Sequence, residues 1–329
     1  MGGYSMRARR LLAIGFLSTG FVLANLSHEA LGQGKFPTKP IQIIVAFQPG
    51  STDIVLRPFT ERMPEHLGQP LTFVYKPGAG GALGAGIAAA AKPDGYTVLG
   101  SSQSAMVILP LTHKDVNYTL DSFAPITCFA DSASLMMVQA NARWKNLGEF
   151  VTEARKKPGG INFSSPGVFA IQHLLVEAFC KEAGIKLNHI PSQGGGPAVT
   201  ALLGGHVDMS VGSLGTAFPH FKAGTLRALA SFNEKRVRTI PEVPTVSELG
   251  YPVVSSLNYG ILGPKGTPKE VIETLHSAAK KVLENHRSVL MERYEKLGVE
   301  ILFLGPEEYA ANLKKQSIFF EKVVKEVKK

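Results

Sequence analysis

The 329-residue chain has only two cysteines, Cys128 and Cys180, too far apart in sequence to form a metal-binding pair. Its nine histidines are scattered without an H-x-x-x-H pattern, so no metal site is expected. In an oxidising compartment the two thiols could pair or stay buried and free, and spacing leaves both open. Apolar runs of membrane-span length are missing beyond residue 26. Blocks of one charge are rare too. Basic residues concentrate only at Lys314-Lys315 and at Lys322, Lys325, Lys328 and Lys329, alternating with glutamates on an amphipathic helical pattern over 307–329. That is a solvated helix face, and no nucleic-acid partner is expected despite the net charge of +9. A G-x-S-x-G nucleophile elbow is absent: in Val211-Gly212-Ser213-Leu214-Gly215 the first glycine touches the serine directly. No catalytic residue is nominated, and the chain is not expected to be an enzyme. Gly84-Ala85-Gly86 falls inside an expected helix rather than ahead of one, so no dinucleotide or other cofactor is expected.

What is present begins with Arg7, Arg9 and Arg10 ahead of an apolar run over 11–26, followed by Ala30-Leu31-Gly32. This reads as a secretory leader over 1–32, cleaved after Gly32, which sends the remainder to the periplasm. From Ile41 onward, short apolar runs alternate with helical patterns, the signature of an α/β architecture with mostly parallel strands. Strands are expected at 41–47, 71–74, 97–100, 161–163, 187–191, 207–211 and 253–262. The segment 123–140 reads as strand, bend and strand crossing between domains, and 226–232 as the return. Domain 1 is therefore 33–127 with 232–329, domain 2 is 128–231, and each is a sheet flanked by helices.

Polar, glycine-rich loops follow strands in both halves, where open α/β sheets bind ligands. In the first half these are Gln48-Pro49-Gly50-Ser51-Thr52-Asp53, opening a helix to about residue 67, then Tyr75-Lys76-Pro77-Gly78-Ala79-Gly80-Gly81, then Ser101-Ser102-Gln103-Ser104. Glycines let the backbone approach a ligand, and a following helix offers N–H groups and a positive dipole end to an anion. The second half supplies Ser164-Ser165-Pro166-Gly167, Ser192-Gln193-Gly194-Gly195-Gly196 and Gly212-Ser213. The candidate ligand-binding residues are Gln48, Gly50, Ser51, Thr52, Asp53, Gly78, Ala79, Gly80, Gly81, Ser102, Ser164, Ser165, Gly167, Ser192, Gln193, Gly194 and Ser213. Asp53 could instead serve the first helical turn, while His173, His189 and Asp208 read as structural. These loops hold no arginine and only one cation, Lys76, so fixed N–H groups must supply most of the anion recognition.

Several short segments occur in a specific order: Phe36-Pro37-Thr38-Lys39-Pro40-Ile41, Pro77-Gly78-Ala79-Gly80-Gly81, Pro93-Asp94-Gly95-Tyr96-Thr97, His189-Ile190-Pro191, Leu203-Gly204-Gly205-His206-Val207-Asp208, Val243-Pro244-Thr245 and Gly266-Thr267-Pro268. With them the chain resembles the periplasmic receptors of tripartite tricarboxylate transporters, the Bug family. The resemblance implies a two-domain type II periplasmic binding-protein fold, closing on a small organic acid and delivering it to membrane permease subunits. It implies carboxylates held by backbone amides, hydroxyls and water; we expect the receptor to be a monomer. Three positions depart from the family pattern: a shorter first loop at Pro49-Gly50-Ser51-Thr52-Asp53, Tyr75 in place of asparagine, and Ser192 in place of tyrosine. The last predicts room for a bulkier acid than a four-carbon dicarboxylate. Rival readings are an exported sensor signalling to a membrane partner and an exported hydrolase.

Overall fold

A computed structural model describes residues 35–49 and 51–328; the leader expected over 1–32 and Gly50 lie outside them. The apolar strand β1 (Ile41–Val45) runs toward α1 (Ser51–Thr60). The expected continuation to residue 67 is broken. Pro58 cannot donate to the carbonyl of Ile54, and Pro64 opens a separate short helix, α2 (Pro64–Leu67). Next come β2 (Leu71–Tyr75), α3 (Ala82–Ala89), β3 (Thr97–Ser102), a π-helical turn (Ser104–Ile108) and α4 (Leu109–Thr112). The chain continues through β4 (Phe123–Ser132), β5 (Ser134–Gln139), α5 (Leu147–Lys156), β6 (Asn162–Ser165), α6 (Ile171–Ala183), β7 (Asn188–Pro191) and α7 (Gly195–Leu203). It ends with β8 (Met209–Ser213), α8 (Leu214–Lys222), β9 (Leu226–Ser231), β10 (Leu257–Pro264), α9 (Lys269–Lys296), β11 (Glu300–Leu304) and α10 (Pro306–Val327).

The strands form two sheets, ordered β11-β4-β10-β3-β1-β2 and β7-β6-β8-β5-β9. Each sheet with its helices is a lobe. The expectation of mostly parallel sheets is corrected: both are mixed. In the first, β1 pairs parallel with β2 and β3, whereas β10 is antiparallel to β3 and β4, and β11 to β4. In the second, β6 is parallel to β7 and β8, and β5 is antiparallel to β8 and β9. The physical reason is the traffic between lobes. A strand that arrives from the other lobe, as β5 and β10 do, enters its sheet from the end where the home strands finish. Strand β11, which follows α9 in the same lobe, is antiparallel to β4 without such a crossing.

Cys128 through Ser132 lie alongside β10 in the first sheet, β5 of the second sheet begins at Ser134, and buried Ala133 stands between them. The return passes beside it. The Phe232 N–H donates to the Ser134 carbonyl at 2.9 Å, and the Ser255 N–H donates to the Phe232 carbonyl at 2.9 Å. Two adjacent crossings are thereby stitched by backbone hydrogen bonds.

Separate cores hold the lobes. In the first, buried Phe59 stacks on Phe129 with ring centroids 4.7 Å apart and meets Tyr294 and Phe303. In the second, Leu135, Met137, Val199, Leu202, Leu214 and Phe218 form one buried cluster. Each such side chain contributes about 1.5–3 kcal/mol of transfer free energy. Cys128 in β4 and Cys180 in α6 are buried free thiols, which answers the disulfide question left open by their spacing. Gly84 explains how α3 docks on β1: a Cβ there would lie 2.6 Å from the Ala46 Cα and 2.7 Å from the Lys76 carbonyl oxygen.

Candidate functional site

A cleft of about 560 Å³ opens between the two sheets. Its wall takes residues from the first turns of four helices: Thr52 in α1, Gln172 in α6, Gly195 in α7 and Thr216 in α8. The first turn of a helix has N–H groups with no intrahelical acceptor and carries the positive end of the dipole. Four such ends around one space favour an anion. Sequence accounts for their convergence. All four helices follow strands that pair in parallel, β1, β6, β7 and β8, so each begins at a strand's carboxyl end.

Thr52, Ser102, Gly167, Gln193, Gly194 and Ser213, all expected from sequence, stand in this wall. Thr52 and Ser102 are nearly buried. The Ser102 hydroxyl donates to Ser104 at 3.3 Å, and the Thr216 hydroxyl donates to the Ser213 carbonyl at 2.8 Å. Among the described wall residues there is no lysine or arginine, and His113 is the one side chain able to carry positive charge.

Other expected residues are placed elsewhere. Gln48 is exposed and outside the wall. Asp53 is buried, and its Oδ2 accepts from the Tyr75 hydroxyl at 2.9 Å and from Arg57 Nε at 3.4 Å. Tyr75 thus anchors the first turn of α1 to β2. Gly78, Ala79 and Gly81 are not in the wall; Ala79–Gly81 form a single 3₁₀ turn that includes Gly80, and Ser51 opens α1. Gly81, at φ +104°, backs the wall instead: a Cβ there would come within 2.9 Å of the Phe47 ring. Ser164 is fully buried and donates to the Ala198 carbonyl at 2.9 Å. Ser165 is fully buried as well, donating to the Gly167 carbonyl at 3.0 Å and lying 2.7 Å from His189 Nε2. Ser192 stands outside the wall, its N–H donating to the Ser165 carbonyl at 3.0 Å.

Behind the second-lobe wall His173 and His189 stack with ring centroids 4.0 Å apart, and Phe163 packs against both, at 4.7 Å from His189 and 6.3 Å from His173. Burial, reinforced by neighbouring His173, pushes His189 down to about 4, so it is neutral at ordinary pH. The Phe169 N–H donates to His173 Nδ1 at 3.1 Å. This pair of imidazoles is the foundation of the loop at 166–170.

Sequence reasoning missed the apolar part of the wall. Leu257 and Tyr259 are there because β10 is antiparallel: its beginning, not its end, lies beside Ser102. A rule about strand carboxyl ends cannot find them. Ile108 and Leu109 come from an apolar run that forms a π-helical turn, fixed by the Tyr118 hydroxyl donating to the Ala105 carbonyl at 2.8 Å. Val168 and Phe169 sit in the loop between Gly167 and the start of α6 at Ile171. An apolar pair, Val168-Phe169, directly after Pro166-Gly167 was the available signal.

Comparison with known proteins follows this geometry. A family model described as the tripartite tricarboxylate transporter family receptor (TctC) matches residues 55–327. The chain is 32% identical over 309 residues to protein BugT of Bordetella pertussis, covering 92% of this chain and 93% of that one. A solved structure of a periplasmic transporter is similar at a TM-score of 0.78 and 37% identity, over 88% of this chain and 97% of that one. MatC of Rhodopseudomonas palustris, solved with bound malate, is similar at a TM-score of 0.75 and 26% identity, over 88% and 100% of the two chains.

Proposed function

The chain belongs to the tripartite tricarboxylate transporter receptor family, and from that premise we propose that it is an extracytoplasmic solute receptor for a small organic carboxylate. The ligand sits in the cleft between the lobes and is delivered to the membrane permease subunits of a tripartite transporter. The leader over 1–32 exports the chain to the periplasm, and the receptor acts as a monomer. Its domains are the two lobes, hinged where the paired crossings pass Ala133 and Phe232.

One observation carries this reading: four helix first turns meet at a cleft without lysine or arginine in its described wall. Preorganised N–H groups of this kind bind a carboxylate without an ion pair. Malate bound to the similar MatC fits the same ligand chemistry. Catalysis has less support. The closest serine–histidine pair, Ser165 with His189, is enclosed, and the serine hydroxyl is engaged by the Gly167 carbonyl.

Native mass spectrometry of the purified protein, mixed with a panel of mono-, di- and tricarboxylates, should show one retained acid per chain. The same acid should raise the melting temperature, since a ligand at a hundredfold over Kd adds about 2.7 kcal/mol to folding stability. A panel in which no acid is retained and none shifts melting would refute the carboxylate receptor.

A further inference from the structure

The wall of the cleft is chemically lopsided. Its polar groups lie at helix starts, whereas Phe47, Leu257 and Tyr259 from the first lobe face a space also bordered by Val168 and Phe169 of the second. A short, hydroxylated dicarboxylate would leave these carbon surfaces against water or against its own polar groups. Two of the rings are also held firmly. Phe47 rests on Gly81, where the absence of a side chain makes room for the ring.

Phe169 is the more informative. It has φ +60°, a left-handed backbone that a bulky residue adopts only at a cost. The loop keeps it there through the Phe169 N–H to His173 hydrogen bond, with His173 stacked on His189 and His189 beside Ser165. Its ring is only half-buried, with Lys328 Nζ 5.7 Å from the ring centroid. A glycine would fit this backbone without strain. The ring meets His173 edge-on at a centroid distance of 6.3 Å, yet these contacts leave it only half-buried at the edge of an open cleft, and a ligand face gives the remaining surface a use.

Building on the carboxylate-receptor reading, we propose that the ligand is an acid with an apolar, ring-sized body, and that Phe169 is a specificity-determining residue. The carboxylate takes the helix starts. The body lies between Phe169 on one lobe and the Phe47 and Tyr259 side of the other, so that lobe closure covers apolar surface from both faces. Aromatic faces reward flat or cyclic carbon bodies over short hydroxylated chains.

The test uses the full mature chain and isothermal titration with benzoate, phenylacetate and cyclohexanecarboxylate against succinate and malate. The ring acids should bind about tenfold or more tightly than either dicarboxylate. Phe169→Gly should cut ring-acid affinity about tenfold, leave malate within about threefold, and hold or raise the melting temperature, because it relieves the left-handed strain. A purely structural phenylalanine would instead lower melting and weaken both classes alike. Phe169→Leu should fall between wild type and Phe169→Gly for the ring acids. Tight malate or succinate binding with no ring-acid preference, or a Phe169→Gly variant with an unchanged ratio, overturns this inference and leaves the receptor reading standing. Failure of all five acids to bind overturns this inference as well, while the receptor reading falls only if the wider panel of mono-, di- and tricarboxylates also fails.

Discussion

Asp131 occupies the point where the two crossings meet. Part of the residue reaches solvent, but its carboxylate is held by two buried asparagines, Asn233 to Oδ2 at 3.0 Å and Asn258 to Oδ1 at 3.1 Å. Burial pushes this carboxyl from the ordinary 3.8 up to about 7, and Glu300, directly opposite on β11, adds to the push. A carboxyl whose folded value is raised holds a proton that the unfolded chain has already released. Its contribution to stability is therefore complete below about 4 and is lost as pH rises through about 7. Asp131→Asn keeps the shape and removes the titration, so its melting temperature should vary less between pH 5 and 8 than that of wild type. Parallel curves for the two proteins would contradict this assignment. Gly84 makes a second residue-scale test. Ala at this position drives a methyl into backbone atoms of Ala46 and Lys76, which cannot move aside as a side-chain tip can. We expect Gly84→Ala to cost about 1–3 kcal/mol in urea denaturation; a cost near zero would mean that α3 is loosely docked.

Elements show what could be read from the residues and what could not. Strands that start an α/β unit were legible because their apolar runs end in glycine, serine or proline, as at Ile41–Val45 and Leu71–Tyr75. Loops at the carboxyl ends of parallel strands placed six expected residues in the cleft wall. Strand direction was not legible: nothing local in Leu257–Pro264 says that it will run against β3, since direction depends on which lobe the chain has just left. Glycine-loop chemistry was ambiguous for a related reason. A glycine that admits a ligand and a glycine that admits a neighbouring ring look alike until the neighbour, here Phe47, is known. The C-terminal pattern over 307–329 was read for its charges, yet α10 buries Tyr309, Leu313, Phe320, Val323 and Val324. Its last turn also reaches the other lobe, where Lys181 of α6 pairs with Glu326. The two kinds of contact should differ sharply in weight. Phe320→Ala should cost about 3–5 kcal/mol, whereas Glu326→Gln, which breaks an exposed ion pair, should cost less than about 1 kcal/mol. Chemical denaturation of both variants checks the order, and a reversal would mean that the seam is held by charge.

At the scale of the molecule, two lobes are joined by neighbouring crossings. One is at Ala133; the other is the segment between β9 and β10, whose Val237, Ile240 and Val243 pack into the second lobe's core. Such an arrangement is expected to move as rigid bodies about a hinge. Solution scattering should show a smaller radius of gyration on loading with a tight acid; an unchanged profile would count against hinge closure. The cleft wall described above, with no ammonium or guanidinium group among its described residues, separates capture from retention. Long-range attraction of an anion comes from the net positive charge, which falls from +9 to +7 once a leader carrying Arg7, Arg9, Arg10 and Glu29 is removed. Ions in solution screen it over about 8 Å at physiological strength. On the proposed reading, a seated carboxylate would be held by short-range dipoles at the helix starts, which such screening scarcely reaches. Raising the salt concentration should therefore slow the association rate while changing the dissociation rate by less than about twofold. A receptor built this way takes up its cargo less quickly in brine, yet keeps it just as long.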